Sequence, residues 1–212
     1  PTAGMLAMTV NSYVHIPRLP VAFIPVYFGY EKLIEGDSFI SELGGKKKQK
    51  ESLFGLVRSV KSLRDYFGKV YVNIGEPIHL DPLLDAHRPD WRDQVTGDEE
   101  RPTWMTNVGT DLAEGIVGEI DAGAAVTPIS LIAYVLLSTP KQAIGEYELK
   151  KQIELLQRLM QRFRYSESVT VPDWSADDIV DHGEKLGVIR RTVHPLGDVI
   201  SMAEHEAVLM TY

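Results

Sequence analysis

The chain has 212 residues, of which 44% are hydrophobic and 25% charged, with 22 Lys and Arg, 30 Asp and Glu, and no cysteine. This composition is ordinary for a soluble globular protein, and it excludes the collagen-like, disordered and disulfide-stapled classes. Without cysteine, thiol nucleophiles and cysteinyl zinc sites are excluded as well. A net charge of −8 argues against a general nucleic-acid binder, which should be basic.

The first 80 residues predict an α/β arrangement. An apolar and aromatic run at 21–28 is typical of a strand buried on both faces, with a break or an end at Pro25. Apolar residues at helical spacing predict an amphipathic helix over 51–67, with Gly68 as its stop. Residues 70–74 predict a second strand, so strand, helix and strand form a βαβ unit.

The rest of the chain predicts mostly helices. Residues 81–104 contain three Pro and an acidic triplet, which is typical of a surface connection. Helices are expected over 111–120, 128–137 and 146–163, and from the N-cap candidate Ser175 to about Leu186. Residues 188–193 and 198–202 predict a β-hairpin. We therefore expect an α/β part at 1–80, a connection at 81–104 and a mostly α-helical region with a small β-hairpin at 105–212.

A run of lysines is the candidate site for an anion. Net charge is +3 over residues 1–80, against −8 over 81–121 and −3 over 141–212, so the first part is locally basic. Within it, Gly44 and Gly45 precede Lys46, Lys47, Lys48 and Lys50, and such a run can surround phosphate oxygens. The spacing is not that of a nucleotide P-loop. The alternative is a solvated basic loop before a helix.

No residue pattern predicts a self-sufficient catalytic centre. His79 and His87 lie near several Asp residues, but their spacing matches no metal-ligand pattern. His182 and Asp178 are four residues apart on a predicted helix, which is typical of an exposed polar pair. No His is followed by Asp five positions later, and no Gly-x-Ser-x-Gly elbow is present.

The order helix, helix and hairpin over 146–203 resembles a winged helix, with Arg190 and Arg191 on the wing. A DNA-binding wing usually lies in a basic domain, whereas this region is acidic. A structural or partner-binding module is the better interpretation.

Ordered landmarks along the chain resemble the membrane-bound glycerol-3-phosphate acyltransferases, in their long bacterial form. Ile24-Pro25-Val26-Tyr27-Phe28-Gly29-Tyr30-Glu31 resembles the fourth conserved block of that family. The stretches 1–9, 47–53, 70–78, 89–92, 101–104 and 207–212 are similar to further landmarks in the same order. Together with a start at Pro1 and an end in an apolar run, the resemblance predicts an internal piece of a longer polypeptide, from after the third block.

The resemblance implies an activity and a location. The family transfers a fatty acyl group from acyl carrier protein or coenzyme A to the first hydroxyl of sn-glycerol 3-phosphate, giving lysophosphatidate. Its catalytic His-x4-Asp pair belongs to the first block, so no catalytic residue is expected in this span, and the span alone should be inactive. Residues 1–80 would be the end of the acyltransferase α/β domain. Peripheral association with the cytoplasmic face of the inner membrane is implied as well.

The resemblance also proposes substrate-binding residues. Ile24, Pro25, Val26 and Tyr27 match the fourth block and would form one wall of an acyl-chain groove; the alternative is plain sheet core. Lys47, Lys48 and Lys50 would hold the phosphate of glycerol 3-phosphate, the donor's phosphopantetheine or an anionic membrane surface. No cofactor and no metal are expected. The alternative function is a non-catalytic interaction module that docks acyl carrier protein or another partner.

Overall fold

A computed structural model describes residues 3–16, 19–32, 66–93, 102–203 and 206–209. Its contacts divide the chain into two compact units, one containing residues 1–28, 72–124 and 165–169, and the other 29–71, 125–164 and 170–212. The predicted boundaries at 80 and 104 stay a prediction. The predicted helix over 51–67 and the lysine run lie outside the described residues, except for the last two positions of that helix.

The first unit is built mainly from helices. Helix α1 (Ala3–His15) packs on α3 (Thr103–Ala122), which also contacts α2 (Leu80–His87). Short strands β1 (Ala22–Phe23) and β4 (Ile78–His79) pair antiparallel. The core of this unit consists of Val10, Tyr13, Val14, Leu80, Leu84, Trp91, Met105, Val108 and Leu112.

Residues 81–93 do not form the predicted surface connection. They contain most of α2, which is followed by a 3₁₀ helix at Trp91–Asp93. Leu84 and Trp91 are fully buried, and the Trp91 indole N–H donates to Asp85 at 2.8 Å. The prediction was wrong because Pro82 lies in the first turn of the helix, where the missing N–H breaks no helical hydrogen bond.

Strands β2 (Val26–Tyr30) and β3 (Val70–Ile74) pair with each other, as their sequences suggested, but not as a βαβ unit. The Gly75 N–H donates to the Pro25 carbonyl at 2.9 Å, and the Glu31 N–H donates to the Lys69 carbonyl at 3.3 Å. The residue before β2 therefore bonds the residue after β3, and the residue after β2 bonds the residue before β3. The two strands thus run antiparallel. A parallel crossover was the wrong prediction for this pair.

The second unit contains a six-element module. It runs α4 (Pro128–Leu137), β5 (Ala143–Gly145), α5 (Glu146–Arg162), α6 (Ala176–Leu186), β6 (Ile189–Thr192) and β7 (Val199–Met202). The antiparallel sheet has the order β5-β7-β6, and a short helix α7 (Glu206–Leu209) follows. Three helices against such a sheet, with the hairpin last, is the winged-helix arrangement. The predicted helices and hairpin are confirmed here, and β5 is an additional strand.

Local signals explain why these helices begin where they do. Thr127 and Ser130 form a reciprocal capping box at the start of α4, with Pro128 at the first helical position. The Ser175 hydroxyl accepts from the Asp178 N–H and caps α6. The apolar faces of the helices meet in one core, whose largest fully buried side chains are Leu131, Ile132, Leu136, Leu149, Ile153, Ile179, Ile189 and Ile200.

Candidate functional site

Of the four predicted acyl-wall residues, Ile24 and Pro25 lie between β1 and β2, and Val26 and Tyr27 are the first two residues of β2. Ile24 is 59% exposed, Pro25 is buried, and Val26 and Tyr27 are half-buried. Phe28 is 57% exposed, and it lies four residues from Ile24, which is on the same face of an extended chain. The prediction of a strand buried on both faces is therefore wrong: one face, with Ile24 and Phe28, is accessible. Lys47, Lys48 and Lys50 lie outside the described residues.

A buried carboxylate follows β2 directly. The Glu31 side chain is fully buried, and its Oε2 accepts from the Lys69 N–H at 2.7 Å. His182 Nε2 lies 2.8 Å from the same oxygen, and the Tyr71 hydroxyl donates to Oε1 at 3.0 Å. Because an uncompensated buried charge is costly, these contacts are what allow Glu31 to be buried. We call Glu31, Tyr71 and His182, with the Lys69 N–H, the Glu31 cluster.

Gly68 makes room for this carboxylate. Its φ of +77° lies in the left-handed region, which glycine adopts without steric cost. A Cβ built on Gly68 would lie 2.3 Å from Glu31 Oε2, well inside van der Waals contact. Gly68 therefore serves the carboxylate; the helix stop that the sequence suggested involves residues the structure does not describe.

His182 reaches Glu31 from α6, and not as the exposed pair with Asp178 that its spacing suggested. The imidazole is buried, with its edge against the Trp174 ring at 5.2 Å and the Tyr66 ring at 5.9 Å between centroids. Asp178 instead contacts the Ser175 hydroxyl at the start of the helix. The spacing argument failed because His182 lies on the same face as the core residues Ile179 and Leu186.

The Glu31 cluster is arranged to hold protein groups in place. Burial, reinforced by the nearby Glu31 carboxylate, raises the pKa of Tyr71, so its hydroxyl stays protonated and keeps donating. Both carboxylate oxygens are occupied by donors from the protein. A carboxylate so engaged is poorly placed to accept a proton from a substrate, since a general base needs a free oxygen within hydrogen-bond reach.

Lys32, the residue after Glu31, also contacts the helices of this unit. Its ammonium donates to the Leu186 carbonyl at the end of α6 at 3.3 Å and lies 3.1 Å from Glu206 Oε1. The Glu206 side chain is 4% exposed, so this is a largely desolvated ion pair. Glu31 and Lys32, which both belong to the second unit, thus contact its helices α6 and α7.

The wing carries a separate ionic network. Arg191 on β6 contacts Glu146, Asp181 and Glu184. Hydrogen bonds to Glu146 and Glu184 raise the pKa of its guanidinium. The guanidinium is therefore engaged within the protein, while the outward face of α6 presents Asp177, Asp181 and Glu184. Because carboxylates of the protein engage Arg191, it is not presented to a phosphate backbone, which supports the expectation of a structural or partner-binding module.

His87, one of the two histidines that lie near several Asp residues in the sequence, has a protein partner. His87 Nε2 lies 2.7 Å from Asp111 Oδ2 on α3. Within the described ranges, no group of three or more His, Asp or Glu side chains is placed to hold a metal ion. The helices described by the structure also include none that is long and apolar enough to cross a membrane.

Comparison with known protein families assigns the chain. A family model described as the glycerol-3-phosphate acyltransferase C-terminal region matches residues 39–212. The chain belongs to this family.

Individual relatives agree with this assignment over the whole chain. It is 46% identical over 213 residues to a glycerol-3-phosphate acyltransferase of Xanthomonas campestris pv. campestris, and 42% to one of Xylella fastidiosa strain 9a5c. It is 40% identical over 212 residues to one of Pseudomonas aeruginosa strain LESB58. Each alignment covers 100% of this chain but only 24% or 25% of the relative. The chain thus spans about a quarter of the length of the curated relatives it matches.

Proposed function

We propose that the chain is part of a glycerol-3-phosphate acyltransferase. This enzyme would transfer a fatty acyl group from acyl carrier protein or coenzyme A to the sn-1 hydroxyl of glycerol 3-phosphate, giving lysophosphatidate for phospholipid synthesis. The observation that carries the proposal is the match of the entire chain to relatives of that name, at 40–46% identity.

Within that enzyme, the chain contributes binding surface and scaffold. The catalytic His-x4-Asp pair belongs to a part of the polypeptide outside this span, so the span alone is inactive. The match to the C-terminal-region family begins at residue 39, within the part of the chain that was predicted to end the acyltransferase domain. The engagement of Glu31 and His182 with each other supports this division, because it leaves neither group free for the proton transfer that the reaction needs.

The acyl wall is formed by the accessible face of the 24–27 stretch. A wall that contacts an alkyl chain must be apolar and reachable, and Ile24 satisfies both conditions. Pro25, which is buried, and Tyr27, which is half-buried, support that face from behind. At Ile24, the exposure of the side chain favours this role over plain sheet core.

Lys47, Lys48 and Lys50 bind the anionic part of a substrate or the membrane surface. Replacing all three with Ala in the full-length enzyme should raise the apparent KM for glycerol 3-phosphate or for the acyl donor by about tenfold, as expected for lost charge-assisted contacts. The matched control replaces Lys141, Lys151 and Lys185, three exposed lysines of the second unit, with Ala. Equal kinetics in both triple variants would contradict the binding role.

The enzyme associates peripherally with the cytoplasmic face of the inner membrane. This part of the proposal is supported by the family resemblance. The product, lysophosphatidate, has an apolar acyl chain and a negatively charged phosphate, and it would be released at an anionic membrane surface.

The test of the proposed function uses the full-length polypeptide that contains this chain, folded in detergent or lipid. Thiol release from palmitoyl-coenzyme A is followed with and without sn-glycerol 3-phosphate, and acyl carrier protein thioesters are tried in parallel. Release that depends on the acceptor is expected. No release from well-folded protein with either donor would contradict the proposal and favour the alternative, an interaction module that docks a partner.

A further inference from the structure

We propose that Glu31, held by His182, is a positioning residue that fixes the register of β2 on β3 and thereby the face that the acyl-wall residues present to the fatty acyl chain. The inference rests on the proposed function for its link to the acyl chain. The register itself is a property of the protein and can be tested without any activity.

Glu31 closes the β2–β3 ladder with two different groups. Its backbone N–H donates to the Lys69 carbonyl at 3.3 Å, and its carboxylate accepts from the Lys69 N–H at 2.7 Å. Both backbone polar groups of Lys69, the residue just before β3, are therefore bound to Glu31. A slip by one residue would move the strands by about 3.3 Å relative to each other and would break both contacts.

The exposed face of the sheet contributes little to its register, so the polar contacts at the two ends of the pair matter more: those of Glu31 with Lys69, and the bond from the Gly75 N–H to the Pro25 carbonyl. A register is strongly specified where one face of a sheet is buried, and a slip by one residue turns every side chain to the other face. Here Phe28 lies opposite Val72, and both are more than half exposed. Two strands alone are also marginally stable. A slip of β2 would exchange Ile24 and Val26 for Pro25 and Tyr27 on the accessible face.

The carboxylate is itself held from outside the sheet. His182 comes from α6, more than 150 positions along the chain, and its ring is fixed between Trp174 and Tyr66. Two donors at the start of β3 and one on α6 converge on this carboxylate, so its position is set more firmly than that of an exposed side chain. This is the arrangement expected of a residue that positions its neighbours.

The first experiment measures donor selectivity in the full-length enzyme. The ratio of kcat/KM for octanoyl-coenzyme A to that for palmitoyl-coenzyme A is compared in wild type, Glu31→Gln, His182→Leu and His182→Gln. A displaced wall contacts long and short chains differently, so Glu31→Gln and His182→Leu should change this ratio by about fivefold or more. His182→Gln retains an amide donor and should restore the ratio at least partly. Tyr71→Phe, which removes one donor only, serves if the stronger variants do not fold.

The matched control is Thr127→Ala, which removes the helix cap of α4 in the same unit without contacting the Glu31 cluster. General destabilisation lowers the rates with both donors alike and leaves their ratio unchanged. An unchanged ratio in Glu31→Gln and in Tyr71→Phe, as in the control, would overturn the inference.

The second experiment reads the register without activity. Amide hydrogen exchange of the full-length protein is followed by mass spectrometry in peptides that cover residues 22–31 and 69–75. Glu31→Gln should accelerate exchange in both peptides by about tenfold, whereas Thr127→Ala should not. Unchanged exchange would overturn the inference even if the enzyme is active. An inactive wild type with the expected exchange pattern would instead contradict only the proposed function.

Discussion

The burial of the Glu31 carboxylate depends on Gly68, which leaves space for it. The carboxylate is buried only because donors surround it, and one of those donors, the Lys69 N–H, follows a residue with φ of +77°. A side chain at position 68 would occupy the space of Glu31 Oε2. The absence of a Cβ is therefore part of the site.

Gly68→Ala should destabilise the protein by more than Gly187→Ala. Both glycines have φ of +77°, so each substitution has the cost of a left-handed alanine, about 1 kcal/mol. A Cβ at Gly187 meets nothing within 4 Å, whereas at Gly68 it collides with the carboxylate and adds about 1–3 kcal/mol for a disturbed buried charge. Thermal unfolding of the two variants measures the difference. Equal losses would contradict the packing described here.

Glu146 makes stability depend on pH at the acidic end. Lys150 and Arg191 hold the pKa of its carboxyl below the usual range, mainly through hydrogen bonds to the ionised form. A lowered folded-state pKa contributes stability that is complete above the unfolded value of about 4.3 and is lost as the pH falls through the folded value. The contribution should therefore be present at neutral pH and disappear below about pH 4.

Glu146→Gln tests this dependence. At pH 7 the variant should lose about 1–2 kcal/mol, because a charged partner of two cations is removed, and its deficit should shrink as the pH falls below about 4. Glu148→Gln, an exposed residue on the same helix, should stay within about 0.5 kcal/mol of wild type. Unfolding midpoints measured from pH 3 to pH 8 provide the comparison. A deficit that persists unchanged at pH 3 would exclude the ionic explanation.

At the scale of elements, α5 has two kinds of apolar residue. Leu149 and Ile153 are fully buried in the core of the winged-helix module, whereas Leu155 is 49% exposed. The heptad-like spacing of the buried residues is what directs one face of the helix inward. Exposed leucines on the same helix contribute little to folding.

Leu149→Ala and Leu155→Ala form a matched pair on this helix. The first should cost about 2–5 kcal/mol, because it removes buried methyl groups and leaves a cavity. The second should cost less than about 1 kcal/mol, since its side chain is already half in water. Chemical denaturation of the two variants distinguishes them. Similar losses would mean that the helix face is wrongly assigned.

Elements with strong local signals could be predicted from the sequence, and those set by distant contacts could not. Helix α4 begins and ends where predicted because Thr127, Pro128 and a continuous apolar run define it locally. Strand β5, with three residues, is too short for an alternation pattern. The direction of β3 relative to β2 depends on the whole connection between them. No residue pattern within the two strands could therefore distinguish the predicted parallel pairing from the antiparallel one.

The candidate site shows the same limit. The acyl-wall residues were proposed from a resemblance and stay a prediction. The Glu31 cluster was missed because its members are separated by up to 151 positions. One signal was available: His182 shares a helix face with Ile179 and Leu186, which predicts burial and hence a polar partner. Nothing local identifies Glu31 as that partner.

At the scale of the whole molecule, charge and chemistry are separated along the chain. Residues 1–80 are net positive and contain the predicted acyl-wall residues and the lysine run, whereas residues 141–212 have a net charge of −3. A net positive stretch attracts anions and a net negative one repels them. This asymmetry fits a polypeptide in which substrate contacts and scaffold are contributed by different stretches.

The measurement that tests the central claim most directly is detection of the product. The full-length polypeptide and the 212-residue chain are each incubated with palmitoyl-coenzyme A and isotopically labelled sn-glycerol 3-phosphate, and labelled acylglycerol phosphate is sought by mass spectrometry. The account predicts labelled product from the full-length polypeptide and none from the chain alone. Product formed by the isolated chain, or none formed by the folded full-length polypeptide with either class of acyl donor, would contradict it.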